Sequence, residues 1–375
     1  MVVKEIIAKS ILRKHKRIDT WFISQYGMNF YRGCIHNCIY CDGRAEKYYV
    51  NGEFGEDVSV KINAIEILEK ELDPRRKRMP INQGYIMLGG GVGDSYQPVE
   101  RKYELCRKAL HLCYKFNYPV SILTKSTLIK RDIDIIKKIN KKSRVIASFS
   151  FSSLDDKISR IFEPGVPLPN ERIEILKLLK KEGISCGMFL MPVIPFITDK
   201  PEIMNETIKK AKEINLDFII FSGMTLKEGL QKKYFLKILQ KKYPEFIPNY
   251  NNIYKKDIWG RPTEEYQKSI HYTFNILSKK YKIPRRIPPY LFRDLFNENN
   301  YVYIILDHID YLMQLEGKKS SYKWAANTIL KLDRPISEMQ DNLRQLSGVG
   351  PKTEKIILEI IKTGKSTLYD RLLTG

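Results

Sequence analysis

The sequence YRGCIHNCIYCDGR, residues Tyr31–Arg44, contains three of the chain's six cysteines in one short segment. Cys34, Cys38 and Cys41 follow a C-x₃-C-x₂-C pattern. A four-iron cluster ordinarily takes four protein thiolates, so three thiolates would leave one iron open to an exogenous ligand. Zinc is the alternative, because His36 lies inside the pattern and could complete a set of four ligands. No second cysteine pair nearby supports zinc, and we therefore expect an iron–sulfur cluster.

Length and composition limit the class of protein. The 375 residues suffice for one large or two ordinary domains, and 43% hydrophobic with 29% charged residues is typical of a soluble globular chain. We find no run of about 18 apolar residues and no apolar core of a signal peptide. The sequence therefore predicts a cytoplasmic protein without a membrane segment. In a reducing compartment, the cysteines favour a metal centre over disulfides.

The net charge of +22 points to a polyanionic partner, although a lysine-rich, merely solvated surface is an alternative. Residues 290–375 contribute only +1 of this charge. The excess therefore belongs to the part of the chain that contains the cysteine segment.

Strand-like and helix-like segments alternate through the first two thirds of the chain. We expect a strand at Met28–Gly33 that leads into the cysteine segment, and amphipathic helices between the later strands. Such alternation predicts parallel β/α units, whereas residues 300–375 are predicted to be all helical. The further strands are expected at Gly84–Gly89, Pro119–Thr124, Arg144–Phe151, Ile184–Met191 and Asp217–Phe221.

The cysteine spacing, with the aromatic Tyr40 before the last cysteine, resembles the radical S-adenosylmethionine (radical SAM) superfamily. The resemblance implies an α/β fold, a partial (β/α)₆ TIM-like barrel. It also implies a [4Fe–4S] cluster on Cys34, Cys38 and Cys41 whose open iron chelates SAM. The reduced cluster would split SAM to a 5′-deoxyadenosyl radical, with electrons from a donor such as a ferredoxin or flavodoxin.

Several later segments resemble the spore photoproduct lyase-like branch of that superfamily, often described as DNA repair photolyase-like. The resemblance runs in order over about residues 10–225. The matching segments are DSYQPVE (94–100), ILTKS (122–126), SFS (148–150), Arg160 with EPG (163–165), Arg172 and PVIP (192–195).

The same resemblance assigns SAM contacts. Lys125 would pair with the SAM carboxylate, unless it forms a structural salt bridge to Glu163 or Asp94, since an interior lysine needs a partner. The candidate SAM-binding residues are Tyr40 through its backbone near the adenine, Gly89 and Gly90 near the amino group, Lys125, and Ser148.

Spore photoproduct lyases also have a further cysteine that returns hydrogen to the product radical, and this chain has none between Cys41 and Cys106. Cys186, on an expected barrel strand, and Tyr96 are the candidate hydrogen donors. Cys106 and Cys113 are expected to pack in the core. The sequence therefore supports membership of this branch more strongly than it supports the lyase reaction itself.

The C-terminal segment contains Leu343-x-x-Leu346-x-Gly348-Val349-Gly350 followed by a helix. It resembles a helix-hairpin-helix motif, in which backbone N–H groups at a helix N-terminus bind a DNA phosphate, although an ordinary glycine-turn hairpin is an alternative. The candidate DNA-binding residues are Gly348, Val349, Gly350 and Lys352.

The wider stretch from Tyr303 to Leu373 resembles the N-terminal lyase domain of DNA polymerase beta. The position of that domain's Schiff-base lysine is occupied here by Ile356, and Lys355 lies one place away. We therefore expect DNA docking without lyase chemistry.

Together these features predict a radical SAM domain over residues 1–286, with a core of about 20–225 and a helical extension, and a helix-hairpin-helix domain over 290–375. A monomeric enzyme that repairs or modifies a DNA base is the expectation. RNA or protein as substrate, and a non-catalytic iron–sulfur protein that binds DNA or senses redox state, remain the alternatives.

Overall fold

The computed structural model of the chain describes residues 2–46, 48, 52–77, 81, 84–89, 91–255 and 257–375. A seven-stranded sheet and a three-stranded sheet form in this part of the chain. Their strands are β1 (Val3–Ile6), β2 (Leu12–Asp19), β3 (Ser24–Met28), β4 (Tyr31–Arg32), β5 (Val58–Lys61), β6 (Tyr85–Leu88), β7 (Val120–Thr124), β8 (Val145–Phe151), β9 (Ser185–Val193) and β10 (Phe218–Gly223).

The large sheet has the order β10-β9-β8-β7-β6-β3-β2, and its strands from β3 to β10 are parallel. Every residue of β6 and β8 is buried, as expected for parallel strands covered on both faces. Neighbouring strands follow chain order and the sheet does not close. The predicted partial (β/α)₆ barrel is thus confirmed, with β2 added antiparallel at one edge.

Helices cover the barrel and form the C-terminal region. The α-helices are α1 (Ala64–Leu72), α2 (Glu100–Tyr103), α3 (Leu105–Phe116), α4 (Ile133–Lys142), α5 (Asp156–Phe162), α6 (Pro169–Lys181), α7 (Pro201–Glu213), α8 (Leu230–Lys242), α9 (Ile247–Ile253), α10 (Glu264–Lys280), α11 (Glu298–Leu315), α12 (Tyr322–Ile329), α13 (Pro351–Thr363) and α14 (Thr367–Thr374). Short 3₁₀ segments are Asp42–Arg44, Thr127–Asp132, Pro244–Phe246, Pro289–Leu291, Arg293–Leu295 and Ile336–Gln345.

The first barrel strand differs from the prediction. It is β3 (Ser24–Met28), which ends where the predicted strand Met28–Gly33 begins. The Asn29 side chain accepts a hydrogen bond from the Tyr31 backbone N–H at 2.9 Å, a local turn that ends the strand. The residues beyond it form β4, which pairs with β5 in the small sheet.

The C-terminal helices pack against the barrel at the N-terminal ends of its strands. Gly84 N–H, just before β6, donates to Leu295 O at 2.9 Å, and Arg144, just before β8, pairs with Asp294 at 2.7 Å. The Arg286 guanidinium is buried and lies 3.5 Å from the Tyr311 ring centroid. Barrel and helices therefore share one continuous apolar core. We call the end of the barrel where its parallel strands begin, and where these helices pack, the closed end.

None of the helices formed by the described residues combines the length and the apolarity needed to cross a lipid bilayer.

Candidate functional site

The cysteine segment forms a loop of successive turns at the opposite, open end of the barrel, where the parallel strands have their C-terminal ends. Gly33 begins it with a φ of +84°, a conformation that favours glycine. The N–H of Cys41 donates to Cys38 O at 3.3 Å, and the N–H of Arg44 donates to Cys41 O at 3.1 Å. Cys34 and Cys38 are buried and Cys41 is half-buried. All three thiols thus belong to one compact loop.

The segment that follows β6 holds the first part of this loop. The Gln97 side chain, fully buried, donates to Gly33 O at 3.1 Å and accepts from the Ile35 N–H at 3.0 Å. The N–H of Asp94 lies 3.5 Å from Cys34 Sγ. The motif DSYQPVE therefore has a structural meaning, because its polar side chains and backbone fix the cysteine loop.

The turn after α5 holds the middle of the loop. The Gly165 N–H donates to His36 O at 3.0 Å, His36 Nδ1 lies 2.9 Å from Gly165 O, and the Ile39 N–H donates to Phe162 O at 2.8 Å. A Cβ on Gly165 would come within 2.6 Å of Ile35 O, so only glycine allows this approach.

The segment after β10 holds the last part of the loop, and the sequence patterns did not reveal it. Gln231 Nε2 donates to Tyr40 O at 2.9 Å and to Asp42 Oδ1 at 3.1 Å. Lys227 Nζ lies 2.5 Å from Asp42 Oδ2, and Thr225 Oγ1 donates to Asp42 Oδ1 at 2.7 Å. Their place in the chain could have revealed them, because polar residues that follow the last barrel strand lie at the end where such barrels have their active groups.

A buried charge network lies beside the loop. Glu163 Oε1 accepts hydrogen bonds from Lys125 Nζ at 2.9 Å and from the Tyr40 hydroxyl, while Oε2 pairs with Arg172 at 2.7 Å. Burial alone would raise the pKa of Glu163, but the Arg172 and Lys125 cations lower it well below its usual range. The salt bridge of Lys125 considered from the sequence is thus present, and its partner is Glu163 rather than Asp94.

The donor set of the loop fits an iron–sulfur cluster. Burial raises the pKa of all three thiols, that of Cys34 to about 12, because a buried thiolate would lose its hydration. Bound metal deprotonates a coordinating thiol outright, and iron–sulfur clusters take thiolate ligands.

The zinc alternative fits less well. His36 Nδ1 is engaged with Gly165 O, and its Nε2 lies 3.2 Å from Asp94 Oδ2 in a close electrostatic contact. Neither ring nitrogen is therefore directed at the thiols.

Of the predicted SAM residues, Tyr40, Gly89 and Lys125 lie at the open end of the barrel, and Ser148 lies in the middle of β8. Gly89 follows β6 with a φ of +94°, and a Cβ there would lie 2.2 Å from Leu123 O. Gly90 lies outside the described residues. Ser148 is buried on β8, opposite Leu123 and Gly187 in the register, and Lys125 directly follows β7 with its side chain 14% exposed. The Tyr40 carbonyl is engaged by Gln231.

The two candidate hydrogen donors do not reach this site, which corrects the roles expected for them. Cys186 is the second residue of β9, so it lies near the closed end, and its Sγ contacts Ile184 O at 3.4 Å. Tyr96 has 0% exposure, and its hydroxyl lies in the core beside the carboxylates of Asp132 and Glu100. The sequence predicted that Cys186 lies on a barrel strand, but not at which end of that strand. The motif around Tyr96 did not indicate which way its side chain points.

The helix-hairpin-helix segment forms a hairpin between the 3₁₀ segment Ile336–Gln345 and α13. Gly348 has a φ of +85° and a Cβ there would come within 2.7 Å of Ala325 N. Val349 is buried, whereas Gly350 and Lys352 are exposed. Glu354, in the first turn of α13, is paired with Arg344 at 2.7 Å, so its charge is compensated within the protein.

Comparisons with known proteins agree with this geometry. The model of the radical SAM superfamily matches residues 28–208, and a helix-hairpin-helix domain model matches residues 297–366. An uncharacterized protein of Methanocaldococcus jannaschii is 30% identical over 243 residues, 64% of this chain and 84% of that protein. An uncharacterized protein of Mycobacterium tuberculosis is 27% identical over 292 residues, covering 76% of this chain and 83% of its own.

Among solved structures, a variant of spore photoproduct lyase is similar with a TM-score of 0.56 at 15% identity, covering 74% of this chain and 79% of that chain. Another variant, solved with a dinucleoside spore photoproduct, has a TM-score of 0.55 at 16% identity with the same coverage. At this identity the likeness concerns the fold.

Proposed function

Because this chain belongs to the radical SAM superfamily and is a radical SAM enzyme, we propose that its substrate is DNA and that it repairs or modifies a base. Members of this superfamily use a [4Fe–4S] cluster and SAM. The observation that carries the DNA proposal is the helix-hairpin-helix domain, which is packed on the same barrel that holds the cysteine loop. The spore photoproduct lyase structures, one of them with a dinucleoside photoproduct, support the same substrate class.

In this proposal Cys34, Cys38 and Cys41 hold the cluster. Tyr40, Gly89, Gly90, Lys125 and Ser148 contact SAM. When bound, the cluster and SAM would supply 5′-deoxyadenosyl radical chemistry, that is, hydrogen abstraction from a nucleotide turned out toward the barrel mouth.

The protein's own part begins with holding the loop rigidly. Three segments far apart in the chain, represented by Gln97, Gly165 and Gln231, bond to backbone atoms of the cysteine loop. Such fixed backbone contacts keep the thiols in one arrangement and reduce the reorganisation needed when the site is loaded.

The protein also provides a cation, Lys125, that can exchange its carboxylate partner. Glu163 is already paired with the fully buried Arg172, so Lys125 can move its ammonium group to a substrate carboxylate without leaving a buried carboxylate unpaired. This arrangement supports Lys125 as the residue that orients the methionine carboxylate.

We further propose that a ferredoxin or flavodoxin supplies the electron in the cytoplasm and that the enzyme acts as a monomer.

The test is anaerobic reconstitution with iron, sulfide, SAM and reductant, followed by measurement of 5′-deoxyadenosine with and without DNA. We expect turnover that rises when intact or ultraviolet-irradiated duplex DNA is added, with a mass change in the recovered DNA. If no form of DNA alters turnover or is itself altered, the substrate proposal fails while the radical SAM assignment stands.

A further inference from the structure

The outer edge of the large sheet carries a run of positive charge. Strand β2 reads LRKHKRID, and its cationic side chains Arg13, Lys14, Lys16 and Arg17 are all exposed. We call these four residues the basic edge. None of the four forms an ion pair with an acidic side chain among the described residues. Among the described residues, ion pairing therefore does not neutralise their charge.

Lysines on an edge strand often serve only to prevent edge-to-edge aggregation. Two observations here go beyond that role. The first is continuity with the helical domain, since Arg17 Nη1 lies 3.5 Å from Asn327 Oδ1 on α12. Thr328, one residue further on α12, donates to Ser347 O of the hairpin at 2.9 Å. The basic edge thus leads directly to the hairpin.

The second observation is an exposed aromatic residue at the junction. Trp324 on α12 is 73% exposed, although its Cβ lies against the hairpin, 3.0 Å from where a Cβ of Gly348 would be. An indole in water next to backbone donors and cations offers a stacking surface for a base, which every nucleotide can use. Trp324 and Asn327 are three positions apart and therefore lie on one face of α12.

The helical domain also needs charge from elsewhere to attract DNA. Residues 290–375 carry 12 Lys and Arg against 11 Asp and Glu. Affinity for the phosphate backbone depends on the cations that displace its counterions, so a domain of this balance binds weakly by itself. The basic edge supplies four cations where the domain meets the barrel.

The direction of β2 links the two ends of the molecule. Because β2 is antiparallel to β3, Asp19 pairs with Ser24 at the closed end, and Leu12 pairs with Met28 at the open end, just before the cysteine loop. From Arg17 to Arg13 the strand rises about 13 Å. One strand of B-form DNA presents about four phosphates over that length.

We propose that the basic edge and Trp324 form a DNA-binding track that runs from the helix-hairpin-helix domain to the barrel mouth. The four cations contact successive phosphates, and Trp324 stacks on an unpaired base beside the hairpin. This inference rests on the proposed action on DNA and adds the route by which the strand reaches the site.

The test measures fluorescence anisotropy of a labelled 20-base-pair duplex, blunt or with a single-stranded tail, from 50 to 200 mM KCl. The track variant combines Arg13→Gln, Lys14→Gln, Lys16→Gln and Arg17→Gln. We expect it to bind at least tenfold more weakly at 100 mM KCl and to lower the slope of log K against log salt by about 2 to 4. Trp324→Ala should weaken the tailed duplex about tenfold and the blunt duplex less.

The matched control removes the same net charge elsewhere. It combines Lys130→Gln, Lys138→Gln, Lys141→Gln and Lys142→Gln, four exposed lysines in and just before α4, three strands away from β2 in the sheet. We expect less than a threefold change from it. Arg13→Lys with Arg17→Lys keeps the charge and should retain wild-type affinity. Equal thermal unfolding midpoints establish that all variants fold.

The outcomes separate the two proposals. If the wild-type protein binds no DNA, both fail. If it binds DNA but the track and control variants lose affinity equally, the track is wrong and the action on DNA stands. Tighter binding of the same sequence as RNA through the same residues would also overturn the inference.

Discussion

The two ends of the barrel are built by different physical means. At the open end, buried polar groups such as Gln97, Glu163 and Gln231 bond to the cysteine loop and to one another. At the closed end, the C-terminal helices add mostly apolar side chains to the barrel core, and α11 buries eleven of its eighteen residues. The closed end is mostly apolar, although it also buries Arg286 and His308. The open end accepts desolvated charge in order to hold a loop that has little regular structure.

The difference indicates that the candidate site and the helical packing lie at opposite ends of the barrel. Buried polar groups are costly unless they are paired, so the group of them that bonds directly to the cysteine loop marks the site more clearly than any single residue does. The closed end can carry the helix-hairpin-helix domain because its packing makes no demand on the loop.

The largest contrast is expected between two buried cysteines at opposite ends. Cys38→Ser should abolish 5′-deoxyadenosine formation, because it removes a proposed cluster ligand. Cys186→Ser should retain it, since Cys186 lies at the start of β9. Both variants are compared by anaerobic turnover and by iron content. Loss of activity with full iron content in Cys186→Ser would contradict the position assigned to that cysteine.

The charge network at the open end can be broken by Glu163→Gln. The fully buried Arg172 then loses its carboxylate partner, and we expect a loss of about 3–5 kcal/mol in the free energy of unfolding. Urea denaturation provides the measurement. Glu104→Gln is the control, because Glu104 is about half exposed and lies 3.8 Å from Arg131, so its loss should cost less than about 1 kcal/mol. Similar costs for both would show that the network is not a buried one.

At the closed end, pH should reveal a buried histidine. Burial and the nearby Arg286 cation lower the pKa of His308 to about 3 from its usual 6.5, and its ring nitrogens contact Thr20 O and the Tyr369 hydroxyl. Above pH 6.5 both folded and unfolded forms are neutral. Between pH 6.5 and about 3 only the unfolded form takes up the proton, so stability falls as pH falls.

From pH 7 to pH 5 this group should cost about 2 kcal/mol of unfolding free energy. His308→Gln should remove that part of the pH dependence. The check is urea denaturation of both proteins at the two pH values. A stability difference between them that does not change with pH would contradict a neutral, buried His308.

The most local effect is expected from a single loop contact. Gln97→Ala leaves Gly33 O and the Ile35 N–H without their partner, at a cost of about 1–3 kcal/mol that falls on the cysteine loop. Hydrogen–deuterium exchange of residues 31–44 should become faster, while exchange in α11 stays unchanged. Gln345→Ala, at an exposed position, is the control. Unchanged exchange in the loop would mean that the other two segments hold it alone.

Features formed by residues close together in the chain were predictable from the sequence, whereas contacts between distant residues were not. The strands from β6 to β10 were predictable because they are short, mostly apolar segments that alternate with helical ones, and their expected bounds lie within two residues of those observed. The cysteine loop was predictable because its ligands are close together in the chain. Gln231 was not, since it meets Tyr40 across 191 positions and carries no local pattern.

Strand β2 was missed for another reason. Five consecutive basic residues conceal the alternation that predicts a strand, and the register shifts between Lys14 and Asp19. Tertiary pairing with β3 decides its conformation. Four of these five basic residues form the basic edge that we propose to contact DNA.

The most direct test of radical chemistry on DNA is isotope transfer. DNA synthesised from deuterated nucleotides, intact or ultraviolet-irradiated, is incubated with the reconstituted enzyme, and 5′-deoxyadenosine is examined by mass spectrometry. We predict deuterium in the 5′-deoxyadenosine that forms. If 5′-deoxyadenosine accumulates at an undiminished rate with no deuterium from any nucleotide, DNA is not the source of the abstracted hydrogen.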